Sequence, residues 1–423
     1  MRLGQRPRLR PYDRRSCHRL RCRSGHRQRR GFSRYPRSFV RELDHRVTQR
    51  VPAAANRKKT RSRIEWALPR NSHSADNRPA GCVNHVPDLY KTAPTKDPTM
   101  RFGLFGGAQS APADPARGYN EYLDFLLEAE ALGYHGCFLT EHHFTGWGQV
   151  SAPLHMLSYL AARTTRFRLG TAVMVLAWHN PMLLAEQAAT VDVLSGGRLD
   201  LGIGRGYRHN EFHGFAMDAH EAETRFTESL DVMTRAWTSR DRFSHHGKFW
   251  RFDDVILEPP PLQSPHPPLW VSAGRDSSIR AAAQKGLRLL LDQFTPIDIL
   301  AEKIAIYRNA MGSKFDPSMI AVARDVYIGD STAEIEDALR RRAIGHQRMI
   351  DAARVPGATT GSHILAWADR PKARTEAALY GSPEQIAPKL QALRDTGVTT
   401  ILANILGQHR PTLRQLIALA GTL

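Results

Sequence analysis

The sequence predicts an α/β fold, a (β/α)₈ TIM barrel with loop insertions over residues 100–423, preceded by a basic, disordered extension over residues 1–99. Two observations support this prediction. From Met100 onward, short apolar runs rich in β-branched residues alternate with longer stretches of helical periodicity, which is typical of βα units around a parallel sheet. The alternation yields eight strands and eight helices, the number that closes such a barrel.

The eight predicted strands are short and mostly apolar, as expected for strands that are buried on both faces. They cover residues 101–105, 136–139, 167–174, 198–203, 269–272, 287–291, 320–328 and 399–403. The proline-rich stretch from Glu258 to Pro268 cannot be a central strand, because proline donates no ladder hydrogen bond. We expect an extended connection there.

The eight predicted helices alternate with these strands. Gly133 ends the first helix with a residue that tolerates positive φ, and Ser382-Pro383 gives the last helix an N-cap followed by a proline in its first turn. The helices are predicted over residues 119–132, 154–163, 181–194, 222–236, 277–285, 297–311, 332–342 and 383–396.

Two further segments are predicted to be irregular. Residues 355–373 are rich in Gly, Thr and Pro, and we expect them to form a mobile cover over one mouth of the barrel. His245-His246 lies in a hairpin-like connection that we expect to be a solvated loop.

The extension carries the whole net charge of +19, because residues 1–99 contain 26 Lys and Arg against 7 Asp and Glu. It shows no sustained apolar periodicity and no run long enough for a secretory signal or a membrane span. An organelle transit peptide and a nucleic-acid-binding tail are alternatives. We expect instead a cytoplasmic protein that binds neither nucleic acid nor membrane, with translation beginning at Met100.

The cysteines predict neither a disulfide framework nor a metal site. Cys17, Cys22 and Cys82 lie in the extension, and Cys137 lies in a predicted strand. No second Cys/His pair with zinc spacing completes Cys17 and Cys22, so no metal is expected.

Polar residues follow several predicted strands, at the carboxyl end of the barrel where active sites of this fold form. They are Thr140-Glu141-His142-His143-Phe144, Trp178-His179-Asn180, Gly204-Arg205-Gly206-Tyr207 and Gly274-Arg275-Asp276-Ser277.

The order and spacing of several motifs resemble the bacterial luciferase family of flavin-dependent monooxygenases. The motifs are Glu141-His142-His143-Phe144, Gly170-Thr171-Ala172, Ala185-Glu186-Gln187, Leu194-Ser195-Gly196-Gly197-Arg198, Gly202-Ile203-Gly204-Arg205-Gly206, Pro267-Pro268-Leu269-Trp270-Val271 and Gly381-Ser382-Pro383-Glu384-Gln385. The resemblance spans nearly all of residues 100–423 and none of the extension.

The resemblance implies an enzyme that uses reduced FMN and molecular oxygen to oxidise a small organic substrate. It also implies a separate flavin reductase and a homodimer. His142 matches the family's catalytic histidine. An imidazole with a pKa near neutrality moves protons readily, whereas the alternative is a packing histidine or a metal ligand paired with His143.

The same resemblance assigns a phosphate site to two turns. Arg205 would bind the flavin phosphate while Gly204 allows close backbone approach. A second turn opens a helix whose free N–H groups favour anions, and it comprises Gly274, Arg275, Ser277 and Ser278. Gly274 and Arg275 depart from the acid-then-serine pair of luciferase itself, which puts side-chain contacts there in doubt.

Two positions beneath the flavin also follow from the resemblance. The Ala172–Val173 bond is expected to be a non-proline cis peptide. Gly204 replaces a cysteine that lies near the flavin in luciferase, which argues against light emission.

Aromatic and histidine side chains near the strand ends are expected to line a substrate pocket: Phe105, His143, Phe144, Trp147 and Trp178. Simple packing is the alternative for these residues. Two other functions remain open, a deazaflavin-dependent dehydrogenase of the same barrel family and a non-catalytic barrel subunit that binds no flavin.

Overall fold

The computed structural model describes residues 100–109, 114–353, 370 and 375–421. The predicted disordered extension and nearly all of the predicted insertion over residues 355–373 lie outside the described residues.

Twelve strands occur in the described part of the chain, and eight of them form a closed parallel barrel. In chain order they are β1 (Arg101–Gly106), β2 (Gly136–Leu139), β3 (Arg168–Thr171), β4 (Met174–Val175), β5 (Leu199–Gly204), β6 (Phe243–His246), β7 (Arg251–Val255), β8 (Leu269–Ser272), β9 (Arg288–Leu291), β10 (Ile320–Ile328), β11 (Leu379–Gly381) and β12 (Thr400–Ile405). The ring runs β1-β2-β3-β5-β8-β9-β10-β12. It closes where Arg101 pairs with Thr400, which confirms the predicted barrel.

The helices pack around this ring, and ten α-helices lie within the described residues. They are α1 (Pro115–Leu132), α2 (Pro153–Arg163), α3 (Pro181–Leu194), α4 (His209–Gly214), α5 (Ala222–Thr238), α6 (Asp276–Gln284), α7 (Ile297–Met311), α8 (Thr332–Ala353), α9 (Pro383–Asp395) and α10 (Arg410–Ala420). Local caps fix their ends: Asp114 accepts from the backbone N–H of Arg117, and Gly133 ends α1 with a φ of 95°. None of the helices in these ranges is long and apolar enough to cross a membrane.

Three predictions about elements need correction. The predicted strand 167–174 is two strands, because β3 ends at Thr171 and β4 pairs separately with β5. The Ala172–Val173 bond between them is cis, as the resemblance implied. His245 and His246 belong to β6, which pairs with β7 in an antiparallel hairpin, so the predicted loop is wrong. The helix predicted to end at residue 342 continues to Ala353.

The inside of the barrel is filled by a small apolar cluster that forms the floor of the site. Phe138, Trp270, Leu290, Ala321 and Leu402 are buried there, and Phe105, Ala172 and Val173 pack against them. The Trp270 indole donates a hydrogen bond to buried Asp200 at 3.0 Å. The interior is therefore a packed core rather than a channel, and a cavity lies at the carboxyl ends of the strands.

Candidate active site

A cavity of about 1100 Å³ opens at the carboxyl ends of the barrel strands. Each strand of the ring contributes a wall residue from its end or from the turn that follows: Gly106, Thr140, Ala172, Gly204, Ser272, Asp292, Asp325 and Asn404. The volume slightly exceeds the usual range for small-molecule sites, so there is room for a cofactor and a substrate together.

His142 lies on the cavity wall and is oriented by a carboxylate. Its Nδ1 is 3.0 Å from Oε1 of Glu211, which lies in α4 and is buried. Because an ionised carboxylate only accepts, Nδ1 is the protonated nitrogen and Nε2 is left as an acceptor. Burial and the neighbouring Arg208 guanidinium lower the pKa of His142, against the opposing pull of Glu211. The imidazole is therefore neutral at pH 7.

Glu141 organises the loop around this histidine. Its carboxylate accepts hydrogen bonds from the backbone N–H of Val175 and from three side chains, those of His143, Trp178 and His179, at 2.7–2.9 Å. Burial alone would raise its pKa, but the hydrogen bonds from His143 and His179 hold the pKa at about 2. Glu141 thus remains ionised and joins the end of β2 to the segment after β4.

The residues predicted to line the substrate pocket separate into two groups. Phe105 and Trp147 line the cavity. The other three do not, because Glu141 binds the His143 and Trp178 side chains and directs them into an aromatic cluster with Phe215. Phe144 packs on Phe215 at 4.9 Å and is 59% exposed. For His143, Phe144 and Trp178 the structure therefore favours the packing alternative.

A basic pocket of about 270 Å³ adjoins the cavity at the start of α6. Its walls comprise Arg205, Glu223, Arg275, Ser277, Ser278 and Ala281. Arg205 forms an ion pair with the exposed Glu223. Gly274 is buried and does not line this pocket.

Ser278 already has a local partner in this pocket. Its Oγ accepts from the backbone N–H of Arg275 at 3.2 Å and donates to the carbonyl of Arg275 at 2.7 Å. Its side chain therefore caps α6, and the first-turn N–H groups of the helix remain the anion-attracting feature.

Gly204 and Val173 lie next to each other in the wall of the cavity. A Cβ at position 204 would lie 2.5 Å from Cγ2 of Val173. Both residues line the cavity. The glycine keeps the floor of the site flat.

A second polar cluster lines the cavity at β10 and β12 and was not predicted from the sequence. Buried Asp325 accepts from Nε of Arg342 at 2.7 Å, from Nδ2 of Asn404 at 2.8 Å, and contacts Nε2 of His346 at 3.1 Å. Burial would raise the pKa of Asp325, but Arg342 and His346 hold it well below its usual range. The cluster fixes α8 to β10 and β12.

These features suit a flavin that carries a phosphate. The basic pocket combines two guanidinium groups with a helix N-terminus, the flat floor leaves space for a planar ring, and one cavity wall includes Arg205, Arg275 and His142. The pocket includes Arg205, Arg275, Ser277 and Ser278, and the floor includes Gly204 and Val173, which are residues that the resemblance assigns to flavin binding.

Comparisons with known proteins agree with this geometry. A family model described as luciferase-like monooxygenase matches residues 100–400. The chain is 32% identical over 247 residues to the oxygenase component of flavin-dependent trigonelline monooxygenase of Acinetobacter baylyi. The aligned region covers 56% of this chain and 67% of that protein. It is 28% identical over 317 residues to an FMNH₂-dependent dimethylsulfone monooxygenase of Pseudomonas putida, covering 68% of this chain and 83% of that protein.

A solved structure supports the same assignment. The crystal structure of a monooxygenase from Streptomyces bottropensis matches with a TM-score of 0.64 and 26% identity, over 75% of this chain and 98% of that chain. The family model covers more than half of the sequence, and the chain therefore belongs to the luciferase-like monooxygenase family.

Proposed function

We propose that the protein is a flavin-dependent monooxygenase that uses reduced FMN and O₂ to oxidise a small organic substrate. The observation that supports this most directly is one cavity that is lined by Arg205 and Arg275 as well as by His142. The names of the two curated relatives, an FMNH₂-dependent monooxygenase and an oxygenase component, support reduced FMN and a separate reductase as partner.

Arg275 and the first turn of α6 would bind the FMN phosphate, with Ser277 beside them. Arg205 would join them by leaving Glu223, because a phosphate dianion competes well with an exposed carboxylate. The isoalloxazine ring would lie over Gly204, Ala172 and Val173. Bound in this way, reduced FMN supplies the electrons that activate oxygen.

His142 would act on protons beside the ring. Its neutral Nε2 is an acceptor on the cavity side of the imidazole, while Glu211 fixes the tautomer through Nδ1. A proton taken up at Nε2 would be stabilised by the Glu211 carboxylate. The cavity walls, including Phe105 and Trp147, would exclude water from the reacting atoms.

The test is an anaerobic titration of the full-length protein with reduced FMN and, separately, with a reduced deazaflavin. We expect tighter binding of reduced FMN, weakened at least tenfold in Arg275→Gln, and oxygen uptake by the bound reduced FMN at a rate that differs from that of free reduced FMN. Preference for the deazaflavin without oxygen uptake would identify a dehydrogenase. Binding of neither flavin would identify a non-catalytic barrel.

We further propose a homodimer formed through α2 and α3. The α3 side chains Leu183 and Leu194 are 53% and 60% exposed, and Tyr159 of α2 is 50% exposed. Residues eleven apart lie on the same side of a helix, so the two leucines share one face. A second copy of the chain would cover this apolar surface.

A further inference from the structure

We propose that the cavity binds its substrate through a carboxylate at Arg208, and that the substrate class is a small aromatic monocarboxylate placed beside His142. This inference rests on the proposed function and specifies its substrate. Arg208 follows β5 by four residues, immediately before α4, and it lines the cavity.

The first argument is that Arg208 is a buried cation with few strong partners. The residue is 3% exposed. Its Nε donates to the Tyr207 hydroxyl at 3.3 Å, and Nη1 donates to Oε1 of Gln149 at 3.1 Å. Both acceptors are neutral, and a guanidinium has five N–H groups to satisfy. Burying such a charge is costly unless an anion is hydrogen-bonded to it.

The nearest carboxylate does not fill this role. Oε1 of Glu211 lies 4.0 Å from Nη1 of Arg208, beyond hydrogen-bonding distance. That oxygen already accepts from Nδ1 of His142 and from the backbone N–H of His143, each at 3.0 Å. Glu211 therefore compensates the charge of Arg208 only in part.

Three other arginines of the cavity wall are hydrogen-bonded to a carboxylate, unlike Arg208. Arg205 is bound by Glu223, Arg341 by Asp337 and Arg342 by Asp325, each through a hydrogen bond to the carboxylate. These three guanidinium groups have their counter-ions within the protein. Arg208 lacks such a bond, although it is among the most deeply buried of the four.

The surroundings indicate which anion would fit. The guanidinium carbon lies 6.0 Å from the ring centroid of Trp147 and 5.7 Å from that of Tyr207. Two aromatic faces beside a cation suit a flat aromatic acid, and a planar carboxylate matches the two parallel N–H groups of an arginine. A dianion would place a second negative charge near Glu211 without a cation to balance it.

The position also places the substrate for reaction. Arg208 and His142 both line the cavity, and each has a side-chain nitrogen within 4.0 Å of Oε1 of Glu211. A carboxylate on Arg208 would thus hold the attached ring in the part of the cavity that His142 lines. Arg208 would bind the substrate, and His142 would remain the proton-transfer group.

The test compares benzoate with its neutral analogue benzamide by calorimetry on the full-length protein without flavin, in phosphate buffer so that phosphate occupies the basic pocket. We expect benzoate to bind roughly ten- to a hundredfold more tightly than benzamide, as a hydrogen-bonded charge pair implies. In Arg208→Gln the benzoate affinity should fall to that of benzamide, while benzamide affinity is unchanged.

Two further variants distinguish the effect of the Arg208 charge on benzoate binding from the effects of side-chain geometry and of misfolding. Arg208→Lys keeps the charge but loses the planar fork, so we expect an intermediate preference for benzoate over benzamide. This variant also provides the test if Arg208→Gln fails to fold. Arg348→Gln changes an exposed arginine that also lines the cavity, and it should leave both affinities unchanged. Equal wild-type affinities, or a preference for benzoate that survives in both Arg208 variants, would overturn the inference.

The outcome is independent of the cofactor. Binding of reduced FMN without any preference for benzoate would refute the carboxylate site and leave the monooxygenase proposal standing. A preference for benzoate that depends on Arg208, in a protein that binds no reduced flavin, would support the carboxylate site and refute the monooxygenase proposal.

Discussion

The carboxylate of Glu211 lies 3.0 Å from Nδ1 of His142, and the same oxygen also accepts the backbone N–H of His143. One carboxylate therefore fixes both the ring and the backbone of the loop that carries the proposed catalytic histidine. The orientation of this ring depends on α4, a helix of six residues that lies 67 positions beyond it in the chain at His209–Gly214.

Replacing this carboxylate should move the titration of His142 in a defined direction. Glu211 raises the pKa of His142, whereas burial and Arg208 lower it. In Glu211→Gln the larger of the two raising influences is lost and only that of Glu141 remains, so the pKa of His142 should fall further. Nuclear magnetic resonance of ring-labelled histidine measures it directly. Glu223→Gln, at an exposed carboxylate, is the control, and an unchanged or raised pKa in Glu211→Gln would contradict the assignment.

Arg198 should be irreplaceable by lysine. It is 7% exposed, and its five N–H groups donate to four residues, Ala161, Thr164, Phe167 and Ser195. A lysine has three donors and no fork, so it would leave buried oxygens without partners. We expect Arg198→Lys to lower the free energy of unfolding by about 2–4 kcal/mol in urea denaturation. Arg163→Lys, at an exposed position, should change it by less than about 0.5 kcal/mol.

The protein should lose stability in mild acid through His135. Burial, assisted by Arg101, lowers the pKa of His135 from 6.5 to about 4. Between these values the unfolded chain binds a proton that the folded chain does not, so the free energy of unfolding decreases as the pH falls from 6.5 towards 4. His135→Gln should flatten this slope, and the exposed His155→Gln should not. Parallel slopes in both variants would show that other groups are responsible.

The proposed dimer can be tested with charges on α3. Leu183→Asp with Leu194→Asp would place carboxylates in an apolar interface, and sedimentation should then show a monomer where the unaltered protein is a dimer. The matched control is Ile344→Asp, which alters an equally exposed side chain on α8 and should leave the dimer intact. A dimer that persists in the double variant would place the interface elsewhere.

The barrel strands could be predicted because parallel strands buried on both faces are mostly continuous apolar runs, as in β2, where all four residues are apolar and buried. The strands of the hairpin-like connection were not predicted because β6 and β7 are largely solvent-exposed and polar, so no alternating pattern marks them. The strand β11, with three residues, is too short for any period to show.

The sequence allowed prediction of those residues of the candidate site that lie at the ends of barrel strands. His142, Gly204 and Arg205 follow or end barrel strands, and all three line the cavity. Glu211 was missed because α4 is shorter than two helical turns and lies far from His142 in sequence. His143 and Trp178 lie outside the cavity lining because Glu141 binds both, a contact that the sequence does not show.

The contact between positions 204 and 173 also constrains how this barrel can change over evolutionary time. A side chain at position 204 would collide with Cγ2 of Val173, and a β-branched valine has little freedom to rotate away. A thiol at position 204 therefore requires Val173 to shift or to be replaced by a smaller residue. Among related barrels the sizes of these two residues should vary inversely.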